Sequence, residues 1–412
     1  MESQRPVITR EFLAALPKTD LHLHLDGSVR LGTLIELCKA GRVPLPSETE
    51  EGLRELVFKD HYADLVEYLA GFGLTCKVMQ TREQLERVAY ELAVDNQREG
   101  VRYIEARFAP QLHVGDELDI LQVLQAVSDG LARARREFNQ REAVRDGAEP
   151  PFEFGIIACS MRYFDERFSD YYRDFVKLHR YSDRDRLFGL ASEQLVQAAA
   201  IARRERGLPV VGVDLAGPEE GYPPIAHREA YLEAQRYFLQ KTVHAGEAYG
   251  PESIFQAITE LHADRIGHGT SLLNPEAVRD PKIQDRQRYV DELAQFIADR
   301  RVTLEVCLTS NQQTNPAYRN LADHPFGEMM RRKLSVTLCT DNRTVSNTTV
   351  TDELWKAVET WGLSLKQLKN LIVYGFKRSF FPGLYSEKRI YVRRAMEYFE
   401  RLQLQHFPDL DT

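Results

Sequence analysis

The stretch Thr19-Asp20-Leu21-His22-Leu23-His24-Leu25-Asp26-Gly27 alternates polar and apolar side chains and stops at a glycine. Such alternation marks a β-strand, whose two-residue period puts His22, His24 and Asp26 on one face. Residues 19–25 are the first of eight short apolar runs; the others fall at 101–108, 154–160, 210–215, 241–245, 265–268, 303–308 and 336–340, with helical periodicity between them. Parallel strands require crossover connections, and eight strand–helix units can close on themselves. The pattern therefore predicts an α/β fold, the (β/α)8 TIM barrel.

The spacing between the first and second strands is about twice that of an ordinary barrel unit and reads as a helical insert over residues 28–98. Within it Leu65, Tyr68, Leu69 and Phe72 fall at i, i+3, i+4 and i+7. A face of that spacing packs against a core, and an insert after a barrel strand can also form a lid over the site. Helical patterning resumes over 352–412 as a C-terminal extension, and the charged stretch 135–151 reads as a solvated loop. No repeat or linker divides the chain, so residues 1–412 are expected to form a single barrel domain.

The chain carries 54 basic and 62 acidic side chains, and a net charge of −8 gives it no electrostatic reason to bind nucleic acid or an anionic membrane. No apolar run approaches the ~20 residues that span a bilayer, and the apolar residues 12–16 are too few for a secretory signal. Five cysteines lie scattered without a Cys-x-x-Cys pair, which suits a reducing compartment. The expectation is a cytoplasmic enzyme acting on a small molecule, its oligomeric state left open.

In a barrel the active site lies at the C-terminal ends of the strands, so the telling residues are polar ones where apolar runs stop. The first strand ends in His22, His24 and Asp26, the fifth in His244-Ala245-Gly246-Glu247, the sixth in Gly267-His268-Gly269, and the eighth in Thr340-Asp341-Asn342. Each alone reads as a hydrogen-bonded structural residue or a cap; together they aim imidazoles and carboxylates at one central space. Three neutral imidazoles and one carboxylate suit Zn²⁺, which lowers the pKa of a water to about 7 and so makes hydroxide available. Metal-assisted hydrolysis follows, with Glu247 as the non-ligand carboxylate able to carry protons and His268 placed to orient or deprotonate the water. The fourth strand ends Val213-Asp214-Leu215-Ala216-Gly217, without the lysine whose carbamate bridges two metals in related barrels, so one Zn²⁺ is expected. Thr349 followed by Asp352 reads as a helix cap.

These residues resemble those of the adenosine deaminase family of the amidohydrolase superfamily. The likeness covers roughly residues 16–353 through the first-strand motif, Gly212-Val213-Asp214-Leu215-Ala216-Gly217, Thr242-Val243-His244-Ala245-Gly246-Glu247, Arg265-Ile266-Gly267-His268-Gly269 and Leu338-Cys339-Thr340-Asp341. The resemblance implies His22, His24, His244 and Asp341 as zinc ligands, Glu247 as the acid that protonates purine N1, and His268 as the histidine that orients and deprotonates the attacking water. Hydroxide adds to C6 and ammonia leaves. It further implies a backbone contact from Gly217 to purine N3, a contact from Asp26 to the ribose 5′-hydroxyl, a substrate-binding role for His24, and a lid over the site formed by Leu65, Tyr68, Leu69 and Phe72.

One position departs from the family pattern. Many members carry Asp-Asp at the end of the eighth strand, the second carboxyl reaching purine N7; here the pair is Asp341-Asn342. An amide carries its donor at every pH, so Asn342 is expected to keep the N7 contact without needing a proton. Arg343 offers a cation to an anionic substituent, or is simply solvated. The implied activity is deamination of adenosine and 2′-deoxyadenosine to the inosines. The alternatives are a related 6-aminopurine, of the N6-methyl-AMP or aminofutalosine type, and a binding protein that has lost catalysis. The absence of a His-x-Glu…Pro-Cys-x-x-Cys signature speaks against a nucleic-acid deaminase.

Overall fold

The computed structural model describes residues 7–63 and 65–408; the remainder of the expected 1–412 domain lies outside them. Eight parallel strands run in sequence order: β1 (Lys18–His24), β2 (Val101–Phe108), β3 (Glu153–Met161), β4 (Val210–Ala216), β5 (Gln240–Ala245), β6 (Arg265–His268), β7 (Thr303–Val306) and β8 (Ser335–Leu338). Just past β8, Leu23 bridges Asp341 in parallel, with the His24 N–H donating to the Asp341 carbonyl at 2.7 Å and the Asp341 N–H to the His22 carbonyl at 2.8 Å. The strands and their flanking helices make the expected α/β (β/α)8 TIM barrel. Alternate strand residues point into the barrel and out to the helices, which is why every residue of β1, β2 and β4 is buried.

Strands β7 and β8 stop well short of the ends of their apolar runs. After Val306 the chain turns directly into the helix Leu308–Thr314. After Leu338 it leaves the strand for Asp341, whose φ of 60° is left-handed. Both departures deliver polar side chains to the barrel mouth. The stretch 135–151 is not a free solvated loop: the helix Ile120–Asn139 runs into it, Glu142–Arg145 forms a further turn, and its charges pair as Arg135–Glu153 at 3.2 Å and Arg102–Glu149 at 3.1 Å.

Residues 28–98 form the helices Leu31–Gly41, Glu50–Leu56, Leu65–Ala70, Phe72–Thr75 and Arg82–Arg98. The last begins with a reciprocal capping box between Thr81 and Gln84, satisfying two otherwise orphaned N–H groups, and lies against β2 as an outer-ring helix does. Thr349 caps Val350–Trp361 by accepting from the Asp352 N–H, as the sequence suggested. Substituting such a cap by alanine costs about 1 kcal/mol. The helix Leu365–Arg378 packs beneath β8 and β1, where a side chain on Gly375 would meet Thr19 Oγ1 at 2.1 Å; glycine is what permits that approach. Tyr385–His406 completes the C-terminal helices. Cys307 and Cys339 are packed core thiols. Among the described residues no helix is long and apolar enough to cross a membrane.

Candidate active site

The strand ends bring the expected groups to one point. His22 Nε2 lies 3.0 Å from His244 Nε2, His24 Nε2 lies 3.2 Å from the same atom, and Asp341 Oδ1 stands 3.5 Å from both His22 Nε2 and His24 Nε2. A tetrahedral ion with bonds of about 2.0–2.2 Å sets its ligand atoms roughly 3.3–3.6 Å apart, so these four groups fit a zinc-sized ion. His268 is close enough to form a compact group with His22, His244 and Asp341 as well.

Three of the four prospective ligands are oriented from behind. His22 Nδ1 donates to Glu305 Oε2 at 2.8 Å and His244 Nδ1 to Asp214 Oδ2 at 3.0 Å, which turns both Nε2 lone pairs inward. Ser310 Oγ donates to Asp341 Oδ2 at 2.6 Å, leaving Oδ1 for the centre. The two supporting carboxylates share a cation: Arg107 donates to Asp214 at 2.9 Å and to Glu305 at 2.9 Å, and also to the Leu21 carbonyl. Arg265 donates to Glu305 Oε1 at 2.6 Å and to Glu105. Though burial opposes it, Arg107 and Arg265 hold the Glu305 carboxyl, and His244 and Arg107 the Asp214 carboxyl, well below the usual range, so both are anionic acceptors.

Glu247 is the opposite case. Burial, then the charges of Asp341 and Glu219, push its carboxyl well above the usual carboxylate range, with Arg162 pulling the other way. Its proton is therefore held more tightly than a free carboxyl's, the direction a general acid requires, and its Oε2 sits 3.6 Å from His268 Nε2. The loop that carries it is pinned by Glu219, which accepts from the N–H groups of Gly246 at 2.7 Å, Glu247 at 3.0 Å, Ala248 at 2.8 Å and Tyr249 at 3.0 Å. Burial keeps His268 neutral, well below the usual imidazole range. His268 and Asp341 adopt left-handed φ values of 61° and 60°, strain of a kind that gathers at functional sites.

Around this centre, Asp26 is buried and its Oδ1 has no hydrogen-bond partner. Gly217 follows β4 with a φ of 102°. Asn342 Nδ2 donates to Tyr68 Oη at 2.6 Å, and that hydroxyl lies 2.7 Å from Ser346 Oγ. The amide's donor is thus engaged by the helical insert rather than free, and a side chain on Gly27 would strike Asn342 Oδ1 at 1.7 Å. Tyr68 is buried and Leu65, Leu69 and Phe72 are half-buried against the core, with the Phe72 ring edge-on to His24 at 6.3 Å. Arg343 is neither solvated nor turned to the site: it pairs with Glu99 and donates to Asn96 at 3.3 Å.

The adenosine deaminase family model matches residues 17–391. The chain belongs to the adenosine deaminase family. It is accordingly a hydrolase acting on C–N bonds of cyclic amidines, in a family that is metal-dependent. An adenosine deaminase from Mycobacterium sp. (strain JLS) is 35% identical over 378 residues, covering 91% of this chain and 93% of that protein. A probable adenosine deaminase from Dictyostelium discoideum is 32% identical over 95% of this chain, which spans only 44% of that longer protein. The N6-methyl-AMP deaminase of Arabidopsis thaliana shares the fold, with a TM-score of 0.71 at 22% identity over 97% of this chain and 100% of that one.

Sequence reasoning missed the residues that act on the site from behind: Glu305, Arg107, Arg265, Glu219 and Ser310. A signal existed for three of them. Thr303-Leu304-Glu305-Val306 and Val101-Arg102-Tyr103-Ile104-Glu105-Ala106-Arg107-Phe108 place charges inside strands that must be buried on both sides, and Arg265 opens another. Buried charges have to be paired, so these had to find one another. Glu219 and Ser310 carried no such mark.

Proposed function

We propose that this chain deaminates adenosine and 2′-deoxyadenosine hydrolytically, giving inosine or 2′-deoxyinosine and ammonia. The observation that carries the reaction is the pairing of a four-donor, zinc-sized centre with the buried Glu247 carboxyl beside it, whose hold on a proton burial strengthens. His22, His24, His244 and Asp341 would hold one Zn²⁺. When bound, that ion supplies the Lewis acidity that makes hydroxide available near neutral pH. Glu247 delivers its proton to purine N1, which turns C6 electrophilic, and His268 orients the attacking oxygen. The Gly217 backbone meets N3. The face of Leu65, Tyr68, Leu69 and Phe72 excludes water from the closed site. Asn342 reaches N7 by releasing Tyr68 Oη, an exchange of one acceptor for another.

The preference for a free nucleoside rests on Asp26. A buried carboxylate oxygen that receives no hydrogen bond, its neighbour His24 Nδ1 standing off at 3.6 Å, accepts a hydroxyl proton readily and repels a phosphate. Arg343, the cation that the sequence offered as compensation, is already committed to Glu99. A panel of free and 5′-phosphorylated 6-aminopurine nucleosides, scored by ammonia release, tests the proposal. Turnover of adenosine and 2′-deoxyadenosine well above that of AMP and N6-methyl-AMP is expected, and the reverse order overturns it.

A further inference from the structure

Three hydrogen bonds behind the site form a chain whose directions are forced from its far end. The Phe326 backbone N–H can only donate, and it lies 3.1 Å from His324 Nδ1. Burial holds His324 neutral, with its pKa lowered to about 3, so its one ring proton sits on Nε2. That N–H meets Asn311 Oδ1 at 3.3 Å, which settles which end of the amide is oxygen. Asn311 Nδ2 therefore donates to His268 Nδ1 at 3.0 Å. A neutral imidazole has one donor and one acceptor nitrogen. With Nδ1 accepting, the proton of His268 is on Nε2, the nitrogen 3.6 Å from Glu247 Oε2.

We infer that His324 and Asn311 are positioning residues that lock His268 in its Nε2–H tautomer, so that His268 meets the reacting oxygen as a hydrogen-bond donor and not as a base. The inference rests on the reading that His268 faces the reacting oxygen, and it replaces the expected deprotonating half of that residue's role. It also sorts the compact group of His22, His244, His268 and Asp341. In His268 one nitrogen is protonated and the other accepts from Asn311, so neither keeps a free lone pair for a metal. His24, whose Nε2 lies 3.2 Å from His244 Nε2, takes that place. A donor aimed at developing negative charge works without any change of protonation, which suits a buried group.

The test is the ring ¹⁵N spectrum of the metal-loaded, full-length protein labelled with [¹⁵N]histidine, with His268 assigned from the signals lost in His268→Gln. The expected result is a protonated Nε2 and a bare Nδ1. Asn311→Asp replaces the donor by an acceptor and should move the proton to Nδ1, with metal content retained and kcat lowered by about 10²-fold, the loss typical of removing an oxyanion donor. His324→Phe frees the amide to rotate and should give a mixture of tautomers. A wild-type spectrum showing Nδ1–H, or an unchanged tautomer in whichever of the two variants folds, overturns the inference. Because the spectrum does not depend on which 6-aminopurine is turned over, failure of the substrate assignment leaves this result standing on its own.

Discussion

Glu305→Gln is the perturbation that best separates holding the fold from holding the metal. Four donors converge on the two carboxylate oxygens: His22 Nδ1 at 2.8 Å and Arg107 at 2.9 Å on Oε2, and Arg265 Nε at 2.6 Å and Thr242 Oγ1 at 3.1 Å on Oε1. Glutamine keeps one oxygen and turns an NH₂ toward the other pair. The cheaper orientation puts that NH₂ beside Arg265 and Thr242, because the threonine hydroxyl can rotate to accept while His22 and Arg107 keep their oxygen. Arg265 then loses one charged hydrogen bond and retains Glu105, so the cost is about 1.5–3 kcal/mol, below the roughly 3–5 kcal/mol of stranding a buried charge altogether. His22 stays in place but donates to an amide oxygen in place of a carboxylate, and losing such a partner weakens metal affinity by about 10–100-fold.

Urea unfolding of the metal-free protein reads the first quantity, and competition with a chelator of known zinc affinity reads the second. Both changes are expected in Glu305→Gln, and Glu305→Ala should exceed it in both. If the glutamine variant unfolds within about 0.5 kcal/mol of wild type and holds zinc equally well, the argument that this carboxylate orients His22 is wrong.

Four further outcomes follow from the same geometry. Glu247→Gln should keep its metal and lose most turnover, since the amide has no acidic proton to give; full ammonia release from that variant removes the acid assignment. Glu219→Ala strips the acceptor from four backbone N–H groups and should lower kcat by about tenfold or more through misplacement of Glu247, with bound metal unchanged by elemental analysis. Asn342→Asp introduces a group that must be protonated to donate to N7, so its rate should fall on the alkaline side relative to wild type; identical pH–rate profiles would count against the N7 contact. His227 is buried and depressed to about 3, so the unfolded chain binds a proton below about 6.5 that the folded one refuses. Its contribution to stability is whole above that pH and is lost as the pH falls, by up to about 1.4 kcal/mol per pH unit; His227→Gln should flatten that slope in unfolding measured at several pH values.

The barrel was legible because its signal is periodic. Alternation in 19–27 and the recurrence of seven further apolar runs survive without any knowledge of contacts, and β1 to β8 fall on them. The residues gathered at the centre, His22, His24, His244 and Asp341, were legible for a related reason: they sit where apolar runs end, and barrel topology sends all such ends to one face. What the chain concealed was hydrogen-bond direction and pairing. Arg343 reads as a loop arginine beside a binding site, yet Glu99, from the end of a distant helix, claims it. Tyr68 reads as one more apolar position on a helical face, yet its hydroxyl meets Asn342 and Ser346. Long-range partners of this kind follow from packing in three dimensions and leave no local pattern.

The fourth strand shows how an absence in sequence becomes a positive argument in structure. The missing lysine at the end of β4 suggested one metal, but a missing ligand could be supplied from elsewhere. Asp214 is the carboxylate at that strand end, and it is not available: Oδ2 accepts from Arg107 at 2.9 Å and lies 3.0 Å from His244 Nδ1, while Oδ1 accepts the Leu215 N–H at 2.7 Å. Recruiting it to a second ion would break the bond that sets the tautomer of His244 and leave Arg107 buried with less of its charge compensated. The carboxylate that could have bridged two metals is spent on orienting His244, which favours the proposed single-metal centre on energetic grounds that the sequence alone could not reach.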